Sequence, residues 1–275
     1  MNYRHAYHAG NHGDVLKHAV LIEIVRHLLD KPAPFFALDT HAGIGSYDLT
    51  AVESGKTGEW EEGIGKIFDS PNPALAPYLD IVRGLNADGS LRHYPGSPAI
   101  LDAMKRPEDR LALCELHPAD AAELRCWAKE RSGVVVHARD GYEALKAFLP
   151  PGEGRGLAII DPPYEAPDEF DRLAQAVLAG CKRWPAGRWL VWYPIKDRAP
   201  VWRFEGALLE RGPADLLSAE LLTGPEDGLN LVGSGVLLIN PPYRIEDRLA
   251  PLLQAIQAGL APEHGSHALR RLGSG

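Results

Sequence analysis

Leu157-Ala158-Ile159-Ile160-Asp161-Pro162-Pro163-Tyr164 is the stretch on which the fold is read. Four apolar residues stop abruptly at a carboxylate and two prolines. A run so short and so uniformly apolar suits a parallel strand buried on both faces, and prolines end it because they carry no amide donor. The pattern repeats on either side. Phe35-Phe36-Ala37-Leu38 runs into Asp39, and Leu111-Ala112-Leu113-Cys114 into Glu115. Val134-Val135-Val136-His137 leads to Asp140-Gly141, and Arg188 to Tyr193 forms a fifth run. Between them lie helix-compatible stretches at 120–131, 141–148 and 169–181. Strands alternating with helices predict an α/β fold, a doubly wound and mostly parallel sheet with helices on each face.

Two segments depart from this alternation. Ala219 to Leu222 and Gly235 to Asn240 are strand-like, with only a loop containing Gly224-Pro225 and Asp227-Gly228 between them. That spacing predicts a C-terminal antiparallel hairpin. The separation of Asp39 from Glu115 far exceeds the roughly 30 residues of a simple βαβ unit. Residues 50–108 therefore read as a small helical insertion, with helices over 74–85 and 98–105, in a domain formed by 1–49 and 109–275. A helix over Asp14–Leu29 precedes the first strand, with Asp14 as its N-cap and Lys31-Pro32-Ala33-Pro34 as its stop. The polar tail from Pro262 onward reads as poorly ordered.

The 275 residues are 45% hydrophobic and 24% charged, an ordinary globular composition with enough apolar mass for a full core. Cys114, Cys126 and Cys181 form no CxxC pair, which speaks against a disulfide framework and for a reducing compartment. The His-rich N-terminus lacks the apolar core of a signal peptide, and no apolar run approaches the roughly 20 residues needed to span a bilayer. These features point to a cytoplasmic protein with no membrane partner. His5, His8, His12 and His18 match no compact zinc spacing, so no metal is expected. The net charge of -8 disfavours indiscriminate binding to phosphates. A nucleic-acid substrate would need Arg4, Lys17, Lys182, Arg183, Lys196 and Arg198 gathered on one face.

Chemistry is concentrated at the strand ends, where open α/β sheets bind their ligands. Asp39-Thr40-His41-Ala42-Gly43-Ile44-Gly45 supplies glycines that admit close approach of a ligand to the backbone, but without the glycine spacing of a dinucleotide site. Glu115 can accept hydrogen bonds from both hydroxyls of a ribose. Asp140 can accept from an adenine amine, although each such carboxylate taken singly also suits a helix cap. Asp161-Pro162-Pro163-Tyr164 is the signal that decides the class. It has the form of the loop of amino-group methyltransferases, where a carboxylate and a carbonyl accept the two hydrogens of an aromatic amine. The prolines fix these acceptors in advance, and the tyrosine ring offers a stacking surface for an extruded base. Asn240-Pro241-Pro242-Tyr243 shares the pattern, but it follows a hairpin strand whose end should lie on the opposite edge of the sheet.

Taken with Tyr3-Arg4-His5, His8-Ala9-Gly10-Asn11-His12, Asp14-Val15-Leu16-Lys17-His18, Tyr94-Pro95-Gly96-Ser97-Pro98 and Glu115-Leu116-His117-Pro118, these strings resemble one family across nearly the whole chain. It is the RlmJ (formerly YhiR) family of bacterial 23S ribosomal RNA adenine-N6 methyltransferases. The resemblance implies a Rossmann-like, class I S-adenosylmethionine-dependent fold. It implies that His18, His41, Ser97, Glu115, Asp140, Gly141 and Asp161 contact S-adenosylmethionine or the reacting base. Asp161 would be catalytic together with Pro162 and Tyr164, and Tyr3, Lys17 and Tyr164 would meet the substrate. The implied partner is 23S ribosomal RNA, free or early in assembly, and the implied enzyme a monomer. A DNA adenine methyltransferase would share the Asp161 loop, but nothing here resembles a DNA-recognition domain. A non-catalytic protein that binds S-adenosylmethionine or RNA is the other alternative, and the intact loop counts against it.

Overall fold

The structure, a computed structural model, describes residues 4–213, 215–226, 228 and 230–273. Its strands, in chain order, are β1 (Phe36–Asp39), β2 (Ser46–Asp48), β3 (His93–Pro95), β4 (Arg110–Glu115) and β5 (Val134–Ala138). β6 (Gly156–Ile160), β7 (Arg188–Ile195), β8 (Leu216–Leu222), β9 (Gly233–Ile239) and β10 (Ser266–Leu272) follow. The five expected apolar runs are β1, β4, β5, β6 and β7, and all pair in parallel. β9 then inserts antiparallel between β7 and β8, giving the order β10-β8-β9-β7-β6-β1-β4-β5.

Alternation along the buried strands divides the core into two layers. Ala37, Leu113 and Ile159 face the helix His12–Leu29 and the helices of 52–104. Leu38, Cys114 and Ile160 face the helices Gly141–Phe148, Glu169–Arg183 and Arg198–Arg211. The helix His12–Leu29 is buried almost all round from Gly13 to Val25, since it is covered by the sheet, by Glu246–Leu260 and by helices of the 52–104 segment. That burial explains why its apolar residues are not confined to one stripe.

Two expectations are corrected here. The first helix begins at His12 and its cap is Asn11, whose side chain accepts from the Asp14 amide at 3.0 Å. Asp14 is free for other work. The tail is ordered as far as β10, an edge strand antiparallel to β8. Its charged residues conceal it as a strand, yet they hold it: Arg270 reaches Glu220 at 3.2 Å and Arg271 reaches Glu246 at 3.0 Å. Charges on an edge strand also block further pairing.

The long passage between β1 and β4 contains short helices, the helix Ala76–Gly84 and the helix Ser97–Met104. β2 and β3 form a separate antiparallel ribbon, with Ser46 opposite Pro95 and the Gly96 amide donating to Gly45 O at 2.9 Å. This ribbon returns the chain to the carboxyl edge of the sheet, and so delivers Ser97 beside β1. Among the described residues, no helix is long and apolar enough to cross a membrane.

Candidate active site

Because β1, β4, β5 and β6 are parallel, Asp39, Glu115, Asp140 and Asp161 all emerge on one edge. A cavity opens there, lined from the expected set by Lys17, His18, His41, Ser97, Glu115 and Asp161, and also by His5, Tyr47, Asp120 and Pro163. The turn after β1 forms its floor. Gly43 has φ +61°, and a Cβ there would lie 2.2 Å from the Tyr47 hydroxyl, so a side chain would strain the turn and displace Tyr47.

Glu115 is already oriented. Its two oxygens accept from the amides of His117 at 2.8 Å and Gly43 at 3.0 Å, while burial pushes its pKa upward against those bonds. Each carboxylate oxygen retains a lone pair for a ligand hydroxyl. Ser97 donates to Asp39 at 2.6 Å. Asp39 is completely buried, and burial raises its pKa to about 6 even though the Ser97 bond and the Lys17 charge act in the other direction. Burial likewise lowers His41 to about 4, against the pull of Asp161 and Asp140.

The first helix supplies the opposite wall. Asp14 takes the His5 imidazole and the Gly10 amide on Oδ2, both at 2.9 Å, and Lys17 Nζ on Oδ1 at 2.9 Å. Burial alone would raise the Asp14 pKa; His5, Lys17 and His18 together hold it well below the usual range. Lys17 Nζ also donates to Asp161 Oδ2. Burial would lower Lys17, but the two carboxylates keep it well above its ordinary value, and it stays charged. His18 is lowered to about 3, chiefly by burial, and is neutral. Its Nδ1 meets the Tyr94 hydroxyl at 2.9 Å, whereas Nε2 makes no hydrogen bond although it is buried.

Other expected residues lie around this cavity but do not line it. Asp140 caps the helix Gly141–Phe148, with Oδ1 accepting from the amides of Tyr142 and Glu143. Gly141 has a packing reason of its own: a Cβ there would lie 2.3 Å from Thr40 O. Pro162 is buried behind Asp161. Tyr164 (φ +51°) turns away, donating to Trp192 O at 2.7 Å, with its ring 4.9 Å from Phe170. Tyr3 lies outside the described residues. Asn240 ends on the far edge, where its side chain bonds to Pro185 O and Gly187 O, as the hairpin reading expected. Among the described residues, no group of three His, Cys, Asp or Glu side chains is placed to hold a metal.

The proposed basic face does not assemble. Lys17 is buried, Arg4 pairs with Asp120 at 3.0 Å and Arg198 with Glu220 at 2.8 Å. Lys182 and Arg183 end a helix that starts near the site and runs away from it, and Arg183 is spent on the carbonyls of Leu149 and Lys146. Sequence reasoning missed Asp14, His5, Asp39 and Tyr94: Asp39 and Tyr94 meet Ser97 and His18 from far along the chain, whereas His5 and Asp14 are brought together within the first helix and the turn before it. The only available signal was their place in the quoted strings.

A mostly parallel sheet with this order and an antiparallel C-terminal hairpin, with carboxylates converging on its carboxyl edge, defines a Rossmann-like class I methyltransferase. Residues 32–272 match the family described as "Ribosomal RNA large subunit methyltransferase D, RlmJ", and the chain belongs to that family. It is 41% identical over 267 residues to the Haemophilus influenzae ribosomal RNA large subunit methyltransferase J, covering 96% of this chain and 95% of the relative. The Escherichia coli protein of the same name is 40% identical over 271 residues, covering 98% and 97%. A Legionella pneumophila crystal structure superposes with a TM-score of 0.90 at 32% identity, covering 96% of this chain and 98% of that one. This protein is thus a methyltransferase of the large ribosomal subunit RNA family.

Proposed function

We propose that the protein transfers a methyl group from S-adenosylmethionine to the N6 amine of one adenine in 23S ribosomal RNA. The observation that carries this reading is the Asp161 carboxylate at the end of β6, on the wall of a cavity whose other residues suit a nucleoside with an amino-acid arm. Glu115 presents acceptors for ribose hydroxyls. The buried, unbonded His18 Nε2 and the side-chain-free turn at Gly43 fit a bulky polar ligand. S-adenosylmethionine, when bound, supplies an electrophilic methyl group.

An aromatic amine is a weak nucleophile because its lone pair is delocalised into the ring. Asp161 and the Pro162 carbonyl accept its two hydrogens, localise the lone pair and orient it. Lys17 keeps its positive charge and donates to one oxygen of Asp161, which helps to fix the carboxylate in place. Residues 50–108 act in this reading as an insertion that contributes Ser97 to the cofactor side.

The test is transfer of labelled methyl from S-adenosylmethionine to protein-free 23S ribosomal RNA by the wild type and by Asp161→Ala. Labelled N6-methyladenine is expected from the wild type, with a loss of about a hundredfold or more in the variant. Label on another base or another atom, or an active Asp161→Ala, would refute it.

A further inference from the structure

The cations expected to form a basic face are buried, paired or scattered, yet an RNA substrate still has to be held by a chain of net charge -8. Three other cations stay unpaired and lie together at one flank of the sheet. β5 is the last strand there, so its outer amides and carbonyls have no strand partner, and Val135 is 54% exposed. Arg139 follows β5 directly. Arg125 and Lys129 stand four residues apart on the helix Pro118–Ala128 and the residue after it, and so share a face of the helix that packs on β5. Among the described residues, none of the three makes a hydrogen bond or an ion pair.

These charges act on a common space. Burial lowers the pKa of His137 on β5, and Arg139 and Arg125 lower it further, with no carboxylate acting the other way. The Phe148 ring lies 4.5 Å from that of His137 and 5.4 Å from the Arg139 guanidinium, which fixes the guanidinium plane and leaves its N–H donors open. Carboxylates close by are engaged elsewhere: Asp102 meets Arg131 at 3.0 Å and Lys105 at 3.3 Å, and Asp140 accepts from the amides of its helix. Glu130 and Glu143 are exposed but pair with none of the three. Guarding an edge strand against further pairing needs charge, but not unpaired charge. At the opposite edge, Arg270 and Arg271 guard β10 and both are bound to carboxylates. The β5 edge differs in leaving a row of one sign open, and such a row attracts phosphates.

The row also stands in a useful place. Arg139 is at the carboxyl edge, three strand spacings, or about 14 Å, from β6 and the Asp161 loop. From there the row follows β5 down for about 16 Å, so RNA that offers an adenine to Asp161 can lay its backbone along it. We propose that the open edge at β5 is an RNA-docking surface, where Arg125, Lys129 and Arg139 bind phosphates outside the target nucleotide. This rests on the reading of the protein as an RNA adenine methyltransferase and adds to it where the body of the RNA lies.

The experiment measures binding of protein-free 23S ribosomal RNA to the full chain at several salt concentrations, with methyl transfer followed on the same samples. Each phosphate contact contributes about 0.7–0.9 to the slope of log affinity against log salt. Replacing Arg125, Lys129 and Arg139 together by Gln should therefore flatten the slope by about 2 and weaken binding about tenfold or more. Affinity for S-adenosylmethionine and kcat at saturating RNA should stay as in the wild type. Arg125→Gln with Lys129→Gln, which spares the neighbour of Asp140, should flatten the slope by about 1.5. Arg125→Lys with Arg139→Lys should keep the wild-type slope, as should Lys182→Gln, which removes an exposed cation on another helix. A wild-type slope in the triple variant, or an equal flattening in Lys182→Gln or in the lysine variant, would overturn the assignment. So would wild-type binding of the triple variant to protein-free RNA with poorer methylation of a partly assembled large-subunit particle, since this edge would then meet protein. If the slopes shift as expected but the wild type forms no N6-methyladenine, the reaction reading falls and the docking surface stands.

Discussion

Lys17 and Asp161 stand 144 residues apart in the chain and form an ion pair at the wall of the cavity, with Lys17 Nζ also 2.9 Å from Asp14. The lysine is 4% exposed, so its charge is stable only because two carboxylates flank it. It ties the first helix to the loop after β6. Lys17→Met leaves both carboxylates without this cation, and the expected cost is about 3–5 kcal/mol. Urea unfolding of Lys17→Met, Asp161→Asn and the double variant checks this. The double variant should recover part of the loss; strictly additive values would show that the pair is not coupled.

Asp39 carries a second electrostatic cost. Its pKa is raised by burial from 3.8 to about 6, so the folded protein holds a proton that the unfolded chain releases. The stabilisation is complete below pH 3.8 and is lost as pH rises through 6, at which point about 3 kcal/mol has gone. Asp39→Asn cannot ionise and should escape that loss while keeping an acceptor for Ser97. Chemical denaturation from pH 4 to 7 should therefore show the wild type losing ground to the variant across this window. A stability difference that stays constant with pH would refute the assignment.

How far these features were legible depended on the range of the interactions behind them. β1, β4, β6 and β7 could be read because strands buried on both faces must be apolar at every position, which leaves a local trace. The edge strand β10 could not, since its exposed positions are held by arginines whose partners Glu220, Glu246 and Asp215 lie elsewhere. An acid in the first turn of a helix looks like a cap, and nothing local distinguishes Asp14 as the centre of a buried charge cluster. Asp140 shows the converse, for its helix-capping role was the local alternative, and the structure has it. The position of Ser97 followed from the quoted strings, but its bond to Asp39 depends on the β2–β3 ribbon and has no signature in sequence.

The two proline-rich loops make a direct comparison. Asn240 sits at φ +52° and spends its amide on two carbonyls, while Tyr243 is 87% exposed. Asn240→Ala should cost about 1–3 kcal/mol through those lost bonds, yet leave methyl transfer per folded molecule unchanged. Tyr243→Ala should change neither. A fall in transfer with Tyr243→Ala as deep as that with Asp161→Ala would assign the chemistry to the wrong edge of the sheet and sink the present reading.

His18 and Tyr94 yield the most discriminating test of the cofactor side. The Tyr94 hydroxyl lies between Tyr78 at 3.0 Å and His18 Nδ1 at 2.9 Å. Since His18 is neutral, a proton donated by Tyr94 to Nδ1 leaves the imidazole proton on Nε2 of a ring that lines the cavity, 3.8 Å from Asp14 Oδ1. Tyr94→Phe removes that donor and frees the imidazole to adopt the other tautomer. The dissociation constant for S-adenosylmethionine should then rise by about five- to tenfold, equivalent to one neutral hydrogen bond. His18→Ala should cost at least as much, and adding Tyr94→Phe to it should cost nothing further. Calorimetric titration of the three variants separates this from a packing effect. If Tyr94→Phe and His18→Ala weaken binding independently, the tyrosine acts on the cavity by its bulk and not through the histidine.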